Sequence, residues 1–188
     1  MTPIPNYVQK TNFRLDIPNS QAADFVINVQ EVNTPSLSIP MTEFPINPTA
    51  RGSLPGSAVE FEPFTTRVLL DEELRAYTDI YQWMLSIVDY RESKSTAWLE
   101  GGSPRSILIH ILDSTKTKIL LTYRLYGAYP QMLGEIEFNY GDPTNLAMYC
   151  SVTWGYKYME IERNGVVLKS RVIKEQLQGI GLHPSLRG

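Results

Sequence analysis

Apolar and polar side chains alternate along most of this chain, a period of two that is typical of β-strands with one buried face. Residues 12–17 and 25–32 are the first two such segments. The first places its phenylalanine, leucine and isoleucine on one face. We expect these two strands to form a hairpin across residues 19–24.

Residues 34–63 interrupt the alternation with six prolines. Proline lacks a backbone N–H and restricts φ, so this density excludes a helix and any long central strand. We therefore expect a long loop with short extended pieces. Its apolar side chains indicate that it packs against its own domain or a neighbouring subunit, and they include Leu37, Ile39, Phe44, Ile46 and Leu54.

A single helix is predicted at residues 71–88, after a β-rich segment at 59–70 that Pro63 interrupts. Asp71 can cap the first turn, and the two glutamates after it place negative charge at the positive end of the helix dipole. The apolar positions recur at steps of three or four and form one stripe. They are Leu74, Tyr77, Tyr81, Met84 and Val88.

The second half of the chain is predicted to be strands. Residues 106–112 and 117–126 indicate a hairpin, because a polar turn separates two β-rich runs. A bridge at 127–134 leads to an alternating segment at 135–140, where isoleucine, phenylalanine and tyrosine share one face.

The longest alternating run covers residues 146–158 and predicts one long strand. Asn164-Gly165 follows and is a strong signal for a tight hairpin turn. We expect a return strand at 166–173, then a short helix and a loose end at 174–188.

These elements predict a β-rich α+β fold, a single-domain antiparallel sandwich or barrel with one flanking helix and a long proline-rich loop. The order of strands, one helix and more strands does not match a β–α–β alternation. A chain of 188 residues is long enough for one domain with a proper core.

Composition narrows the function further. The net charge of −3 argues against a protein that grips DNA phosphates, although DNA could pass an acidic wall without binding. A single cysteine excludes an internal disulfide. No apolar run approaches the length of a membrane span, and the N-terminal residues lack the pattern of a signal peptide, so we expect a cytoplasmic protein without membrane contact.

The candidate chemistry is sparse, because no nucleotide-binding or hydrolase motif occurs. His110 lies inside an apolar strand and is expected to be a hydrogen-bonded sheet residue, and Cys150 a small buried apolar residue. Glu135 and Glu137 lie two apart on a predicted strand, where a solvated acidic face is favoured over a paired-carboxylate site. The acidic residues 71–73 are explained by helix capping. We expect no catalytic residues, metal or cofactor.

The order of several motifs resembles the tail-tube proteins of contractile-tailed bacteriophages, over residues 10 to 162. The segments that carry this resemblance are Asn-Phe-Arg-Leu-Asp-Ile at 12–17, Leu-Pro-Gly at 54–56, Val-Glu-Phe-Glu-Pro-Phe at 59–64, Asp-Glu-Glu at 71–73, Tyr-Gln-Trp-Met at 81–84, Leu-Tyr-Gly-Ala-Tyr-Pro at 125–130, Gly-Glu-Ile-Glu-Phe at 134–138 and Ser-Val-Thr-Trp-Gly-Tyr-Lys-Tyr at 151–158.

The resemblance implies a structural protein of the virion tail, assembled in the host cytoplasm into a ring that is a hexamer. Such rings stack around a channel through which DNA passes without specific binding, beside other tube, sheath, neck or baseplate proteins. It implies that Glu135 and Glu137 face this lumen, and that the apolar residues of the proline-rich loop contact a neighbouring subunit. Tyr77, Tyr81, Trp83 and Met84 would anchor the helix.

Residues 1–162 form the tube-like domain on this interpretation, and residues 163–188 are a C-terminal extension beyond the usual end of a repeating tube subunit. The extension favours a ring at the tube end, which would be a terminator, over the repeating subunit. A baseplate tube initiator and a secretion-system tube ring are the related alternatives. From other classes, a ligand-binding β-sandwich remains open, as does an unrecognised hydrolase that uses Glu135, Glu137 and His110.

Overall fold

The computed structural model describes residues 7–18, 23–97, 105–141 and 147–170. As predicted, the fold is mostly antiparallel β-sheet. The described residues contain two helices, where one was predicted. In chain order the elements are β1 (Phe13–Asp16), α1 (Ala23–Asn28), β2 (Val29–Val32), β3 (Leu37–Ser38), β4 (Met41–Asn47), β5 (Ala50–Pro55), β6 (Glu60–Phe61), β7 (Phe64–Leu69), α2 (Arg75–Ile87), β8 (Val88–Asp89), β9 (Lys94–Ser95), β10 (Arg105–Leu112), β11 (Ile119–Leu133), β12 (Tyr149–Gly155), β13 (Tyr158–Arg163) and β14 (Val166–Val167).

The main sheet follows the order β1-β10-β11-β12-β7-β2, and β13 and β14 extend it from β11. β11 joins the two halves of this sheet, because its first part pairs with β10 and β13 and its last part pairs with β12. Among the described residues the sheet does not close into a barrel, since β1 and β2 each have a strand partner on one side only. Side chains from both halves and both helices meet in one core.

The predicted hairpin of residues 12–17 and 25–32 is wrong. β1 pairs with β10 and β2 pairs with β7, so the two strands lie at opposite ends of the sheet. Residues 23–28 are helical although their β-branched side chains favour a strand. Tertiary packing overrides this preference, because α1 lies against α2 and its Phe25 is fully buried.

The proline-rich segment is more regular than the loop predicted for residues 34–63. β4 and β5 form a hairpin, and β3 pairs with β6 nearer the main sheet. Together they continue the β2–β7 pair outward as one two-stranded ribbon, which we call the arm (residues 34–63). Backbone hydrogen bonds fill the gaps between the short strands, from Asn33 N–H to Thr65 O (2.9 Å), Glu62 N–H to Ser36 O (3.3 Å) and Gly56 N–H to Pro40 O (2.6 Å).

The predicted helix exists, but it begins at Arg75 and not at Asp71. Leu74 has a φ of 52°, which lies in the left-handed region and prevents an earlier helical turn. The preceding residues form a turn that Asp71 closes, since its carboxylate accepts the N–H of Arg75 at 2.9 Å. The N-cap position is Leu74, so Asp71 does not occupy the predicted cap but accepts the first N–H of the helix from the turn before it, and Glu72 and Glu73 precede the first helical turn.

Two strand predictions in the second half need correction. Residues 127–133, predicted as a bridge, belong to β11. Residues 135–140, predicted as a strand, form none. The β11–β12 ladder ends just before them, where Gly134 N–H donates to Ser151 O. The run at 146–158 is two strands. It bends between Gly155 and Tyr158, where the chain leaves the partner β7 and continues beside the first part of β11.

The predicted hairpin after β13 is confirmed. Asn164 and Gly165 have φ angles of 51° and 78°, the left-handed pair that this tight turn requires. Among residues 166–170 the return strand covers 166–167, and residues 171–173 of the predicted strand lie outside the described residues. The boundary proposed at residue 162 falls within β13 and stays a prediction, and residues 174–188 lie outside the described residues.

Trp154 occupies the centre of the core and is fully buried. Its indole meets the Phe25 ring edge-on at 5.6 Å, stacks with Phe64 at 6.2 Å and lies 5.4 Å from Trp83. The indole N–H donates to the buried Thr66 hydroxyl at 2.9 Å. One side chain thus connects β12, β7 and both helices, and it satisfies its single polar atom.

We expect Trp154→Ala to lower the free energy of unfolding by about 3–5 kcal/mol, because it leaves a large cavity at this junction. Thr66→Val should cost about 1–3 kcal/mol by leaving the indole N–H buried without an acceptor. Urea unfolding at concentrations where the chain is monomeric measures both. Ser114→Ala, in an exposed turn, is the control and should change little.

In the double variant Trp154→Phe/Thr66→Val both hydrogen-bonding groups are absent. Its loss of stability should be smaller than the sum of the losses of Trp154→Phe and Thr66→Val, each measured alone. Additive losses would show that this hydrogen bond contributes nothing to the core.

Candidate subunit interface

The arm has two different faces. In the β4–β5 ladder Thr42 lies opposite Leu54 and Phe44 lies opposite Gly52, so these residues share one side of the ribbon. The other side carries Glu43 and Arg51, whose side chains form an exposed ion pair at 3.3 Å.

The apolar face of the arm consists of Phe44, Ile46 and Leu54, all of which are exposed. The Phe44 ring lies over Gly52, where a Cβ atom would come within 2.8 Å of the ring and 3.1 Å of the Ile46 side chain. A larger residue at position 52 would require the exposed ends of both side chains to shift. The face is therefore a packed surface on one side of the ribbon and not a set of scattered apolar residues.

Proline nitrogens mark the outer edges of the arm. Gly56 N–H bonds to Pro40 O, and antiparallel pairs alternate between bonded and non-bonded positions from there. Pro45 and Pro55 consequently fall at positions whose nitrogens point away from the ladder. Each edge therefore lacks one outward N–H, which weakens further strand pairing there.

The exposed apolar area of the arm is large for a single chain. Eight large apolar residues are between 37% and 66% exposed, and at roughly 200 Å² per side chain they present on the order of 800 Å². Summed over the whole arm, this area is comparable to one side of a standard protein interface. It is not one continuous patch, because Met41 lies on the side of Glu43, opposite Phe44 and Leu54. The eight residues are Leu37, Ile39, Met41, Phe44, Ile46, Leu54, Val59 and Phe61.

The base of the arm is fixed to the body by Tyr156. Its hydroxyl donates to the Glu62 carbonyl oxygen at 3.0 Å, and its ring meets Phe61 edge-on at 6.0 Å. Tyr156 also contacts Phe64, which belongs to the core cluster around Trp154. The body thus sets the direction of the arm while the rest of the arm has no cover.

A second surface is the outward face of β10, β11 and β13, which we call the polar face. It includes Arg124, which pairs with Glu162 at 2.9 Å, and Tyr126, which donates to Glu160 at 2.8 Å. His110 shares a 2.9 Å hydrogen bond with Thr122 on the same face. Each of the two glutamates therefore has a partner within the face.

The two glutamates predicted to face a lumen lie in the irregular segment after β11. Glu135 and Glu137 are both exposed, and neither is part of a strand. Phe138 and Tyr140 beside them are also exposed, although alternation predicted a buried face. The pattern was misleading here because no described element covers that side.

The helix residues singled out from the sequence have different environments. Trp83 and Tyr77 pack against the core, and Met84 is half-buried. Tyr81 is 38% exposed and shares a 2.9 Å hydrogen bond with the hydroxyl of Tyr90. The fully buried positions of α2 are instead Ala76 and Ile80, which the stripe of large side chains did not emphasise.

The two residues considered for chemistry, His110 and Cys150, both make hydrogen bonds within the fold. His110 is half-buried and hydrogen-bonded, as expected, and burial lowers its pKa below the ordinary value. Cys150 is buried, and burial raises the pKa of its thiol, which donates to Gly134 O. Within the described residues no three potential metal ligands cluster. None of the described helices is long and apolar enough to cross a membrane.

Comparison with known proteins identifies relatives. The family model described as T4-like virus tail tube protein gp19 matches residues 9–160. The tail tube terminator protein of Enterobacteria phage T4 is 33% identical over 166 residues, which cover 87% of this chain and 93% of that protein.

Two solved structures share the fold. A chain of the sheath and tube terminator of the PVC extracellular contractile injection system, in its extended state, has a TM-score of 0.59 at 18% identity, covering 86% of this chain and 98% of its own. A chain of the anti-feeding prophage baseplate has a TM-score of 0.60 at 14% identity, with coverage of 85% and 98%.

Tyr156→Ala should release the base of the arm, because it removes both the hydroxyl bond to Glu62 and the contact with Phe61. We expect backbone amides of residues 36–62 to exchange hydrogen faster, while those of β10 and β11 keep their rates. Tyr156→Phe retains the ring and should show a much smaller effect. Equal exchange in both variants and the parent would contradict an anchoring role.

The lowered pKa of His110 predicts a pH dependence of stability. The unfolded histidine binds a proton near pH 6.5, whereas the folded one resists it, so the unfolded state takes up more protons as the pH falls. The free energy of unfolding should therefore decrease from pH 7.5 to 5.5, a window in which ordinary carboxylates stay ionised. His110→Gln should flatten this slope, and an unchanged slope would exclude His110 as its source.

Proposed function

The chain belongs to the family of T4-like virus tail tube proteins, and on that premise we propose that it is a structural ring protein that closes the end of a contractile-phage tail tube. The observation that carries the ring is the arm. An isolated two-stranded ribbon is at best marginally stable in water, and this one leaves an apolar face uncovered. Contact with a neighbouring copy supplies the missing cover.

The position at the tube end rests on the relative of known role. The T4 relative is a tube terminator, and the alignment covers nearly all of both chains. Fold alone does not select this position, since the structural neighbours come from a terminator and from a baseplate. We therefore favour the terminator over the repeating tube subunit and the baseplate initiator.

We expect six copies in the ring, the number that the family resemblance implies, with tube, sheath or neck proteins as neighbours. Assembly takes place in the host cytoplasm, and the product is part of the virion tail. The protein is not an enzyme on this proposal. His110 and Cys150 are engaged in structural contacts, which argues against the hydrolase alternative.

The charges on the surface indicate which residues could line the channel. DNA slides past a surface that offers few free cations, because unpaired lysines and arginines would bind its phosphates. The polar face suits this role, since Arg124 is engaged by Glu162. Glu135 and Glu137 are further candidates for the lumen because they are exposed and acidic.

Replacing two exposed arm residues tests the ring. Phe44→Asp/Leu54→Asp should prevent oligomers, because charges on this face oppose its burial against a neighbour. Sedimentation and negative-stain images of the parent should show rings with a central hole, and the variant should be monomeric. Its circular dichroism should match that of the parent, since neither residue is part of the core.

A control variant separates the arm from exposed apolar residues in general. Ile119→Asp changes a residue of similar exposure (46%) at the start of β11 and should leave the rings intact. A parent protein that remains monomeric at every concentration would contradict self-assembly in solution. Long filaments of the parent, without free rings, would favour the repeating subunit over an end ring.

A further inference from the structure

A groove of about 970 Å³ lies between the two terminal strands of the main sheet. Its walls come from β1, α1 and β2, and its apolar lining includes Phe13, Val26, Ile27 and Val29. Ile27 is 77% exposed, an unusual state for a large aliphatic side chain on a helix beside a groove. The volume is at the upper end of ordinary binding pockets, so the groove has room for several large side chains.

The groove also borders two open strand edges. Among the described residues β1 pairs only with β10, and β2 pairs only with β7. Open edges invite non-specific pairing unless something covers them. An occupant that fills the groove would shield both edges without adding a strand.

The arm of the same molecule cannot fill this groove. Val32 and Asn33 line the groove and also lead into the arm, which continues outward from there. At about 3.3 Å per residue, Phe44 lies up to roughly 35 Å further along the ribbon. Its exposed side chain confirms that the arm does not fold back.

The net charges of the whole arm and of the groove lining have opposite signs. The arm carries Glu43, Glu60 and Glu62 against Arg51, a net charge of −2. The groove lining carries Lys10 and Arg14 against Glu31, a net charge of +1. Because Glu43 and Arg51 lie on the side opposite the apolar face, docking of that face leaves their ion pair in water.

We propose that the groove between β1 and β2 receives the apolar face of the arm from a second copy of this chain. The inference rests on the proposed function and names its interface. Each copy donates one arm and accepts one, so the contact is head-to-tail. Such a contact closes into a ring when the rotation between copies permits it.

Complementation between two defective variants tests the proposal. Ile27→Asp damages the groove and keeps the arm, whereas Ile46→Asp damages the arm and keeps the groove. Both residues are exposed (77% and 64%), so both variants should fold normally. Each alone should associate at least about a hundredfold more weakly than the parent.

A mixture of the two variants has one intact arm and one intact groove on different molecules. Sedimentation of the equimolar mixture should therefore show a 1:1 dimer and no ring, because each dimer ends in a damaged arm and a damaged groove. A ring-forming Ile27→Asp variant would overturn the inference while leaving the proposed function in place. A mixture that stays monomeric would also overturn it, since the two surfaces would then not be partners. A parent without rings contradicts the proposed function itself.

Discussion

The structure depends on the burial of Trp154 among three other aromatic side chains. Phe25 belongs to the short helix α1, Trp83 to the long helix α2 and Phe64 to β7, the strand that follows the arm. Each of these rings packs against the Trp154 indole. The indole N–H must find an acceptor in this dry environment, and the Thr66 hydroxyl supplies it. Through Phe64 the cluster extends to Tyr156, which fixes the arm base. Packing around Trp154 thus helps to set the direction of the arm through Phe64 and Tyr156.

The body and the arm differ in how much of their apolar surface is buried within one chain. The body completes its own core, whereas the arm has backbone pairing but leaves its apolar face in water. The free energy of covering that face is gained only where another surface packs against it. The weakened edges add specificity, because they disfavour the commonest way in which free β-ribbons aggregate.

Local patterns predicted the fold class and several elements, namely the helix near residues 75–87, the β10–β11 hairpin and the Asn164-Gly165 turn. They failed where packing at a distance decides the structure. Residues 25–28 were predicted as part of a strand at 25–32 and are helical because Phe25 packs against Trp154. Residues 135–140 alternate although no described element covers them.

The candidate interface was predictable in part. Apolar side chains among prolines indicated a packed surface between residues 34 and 63. No local signal revealed that Pro45 and Pro55 stand at outward positions of a regular ladder, because that depends on which residues pair across the ribbon. The groove was equally hidden, since β1 and β2 become neighbours only through the path of the whole sheet.

A tube-end protein must form an assembly that stops growing. Docking by a face and docking by an edge differ in this respect. Edge pairing adds one strand after another and has no inherent limit. Docking of one side-chain face in one groove uses up a donor and an acceptor at each contact, and a closed ring leaves neither free. A ring completed in this way offers no arm for a further layer. On the proposed docking of the arm in the groove, the same prolines that hinder a central strand favour an assembly that stops.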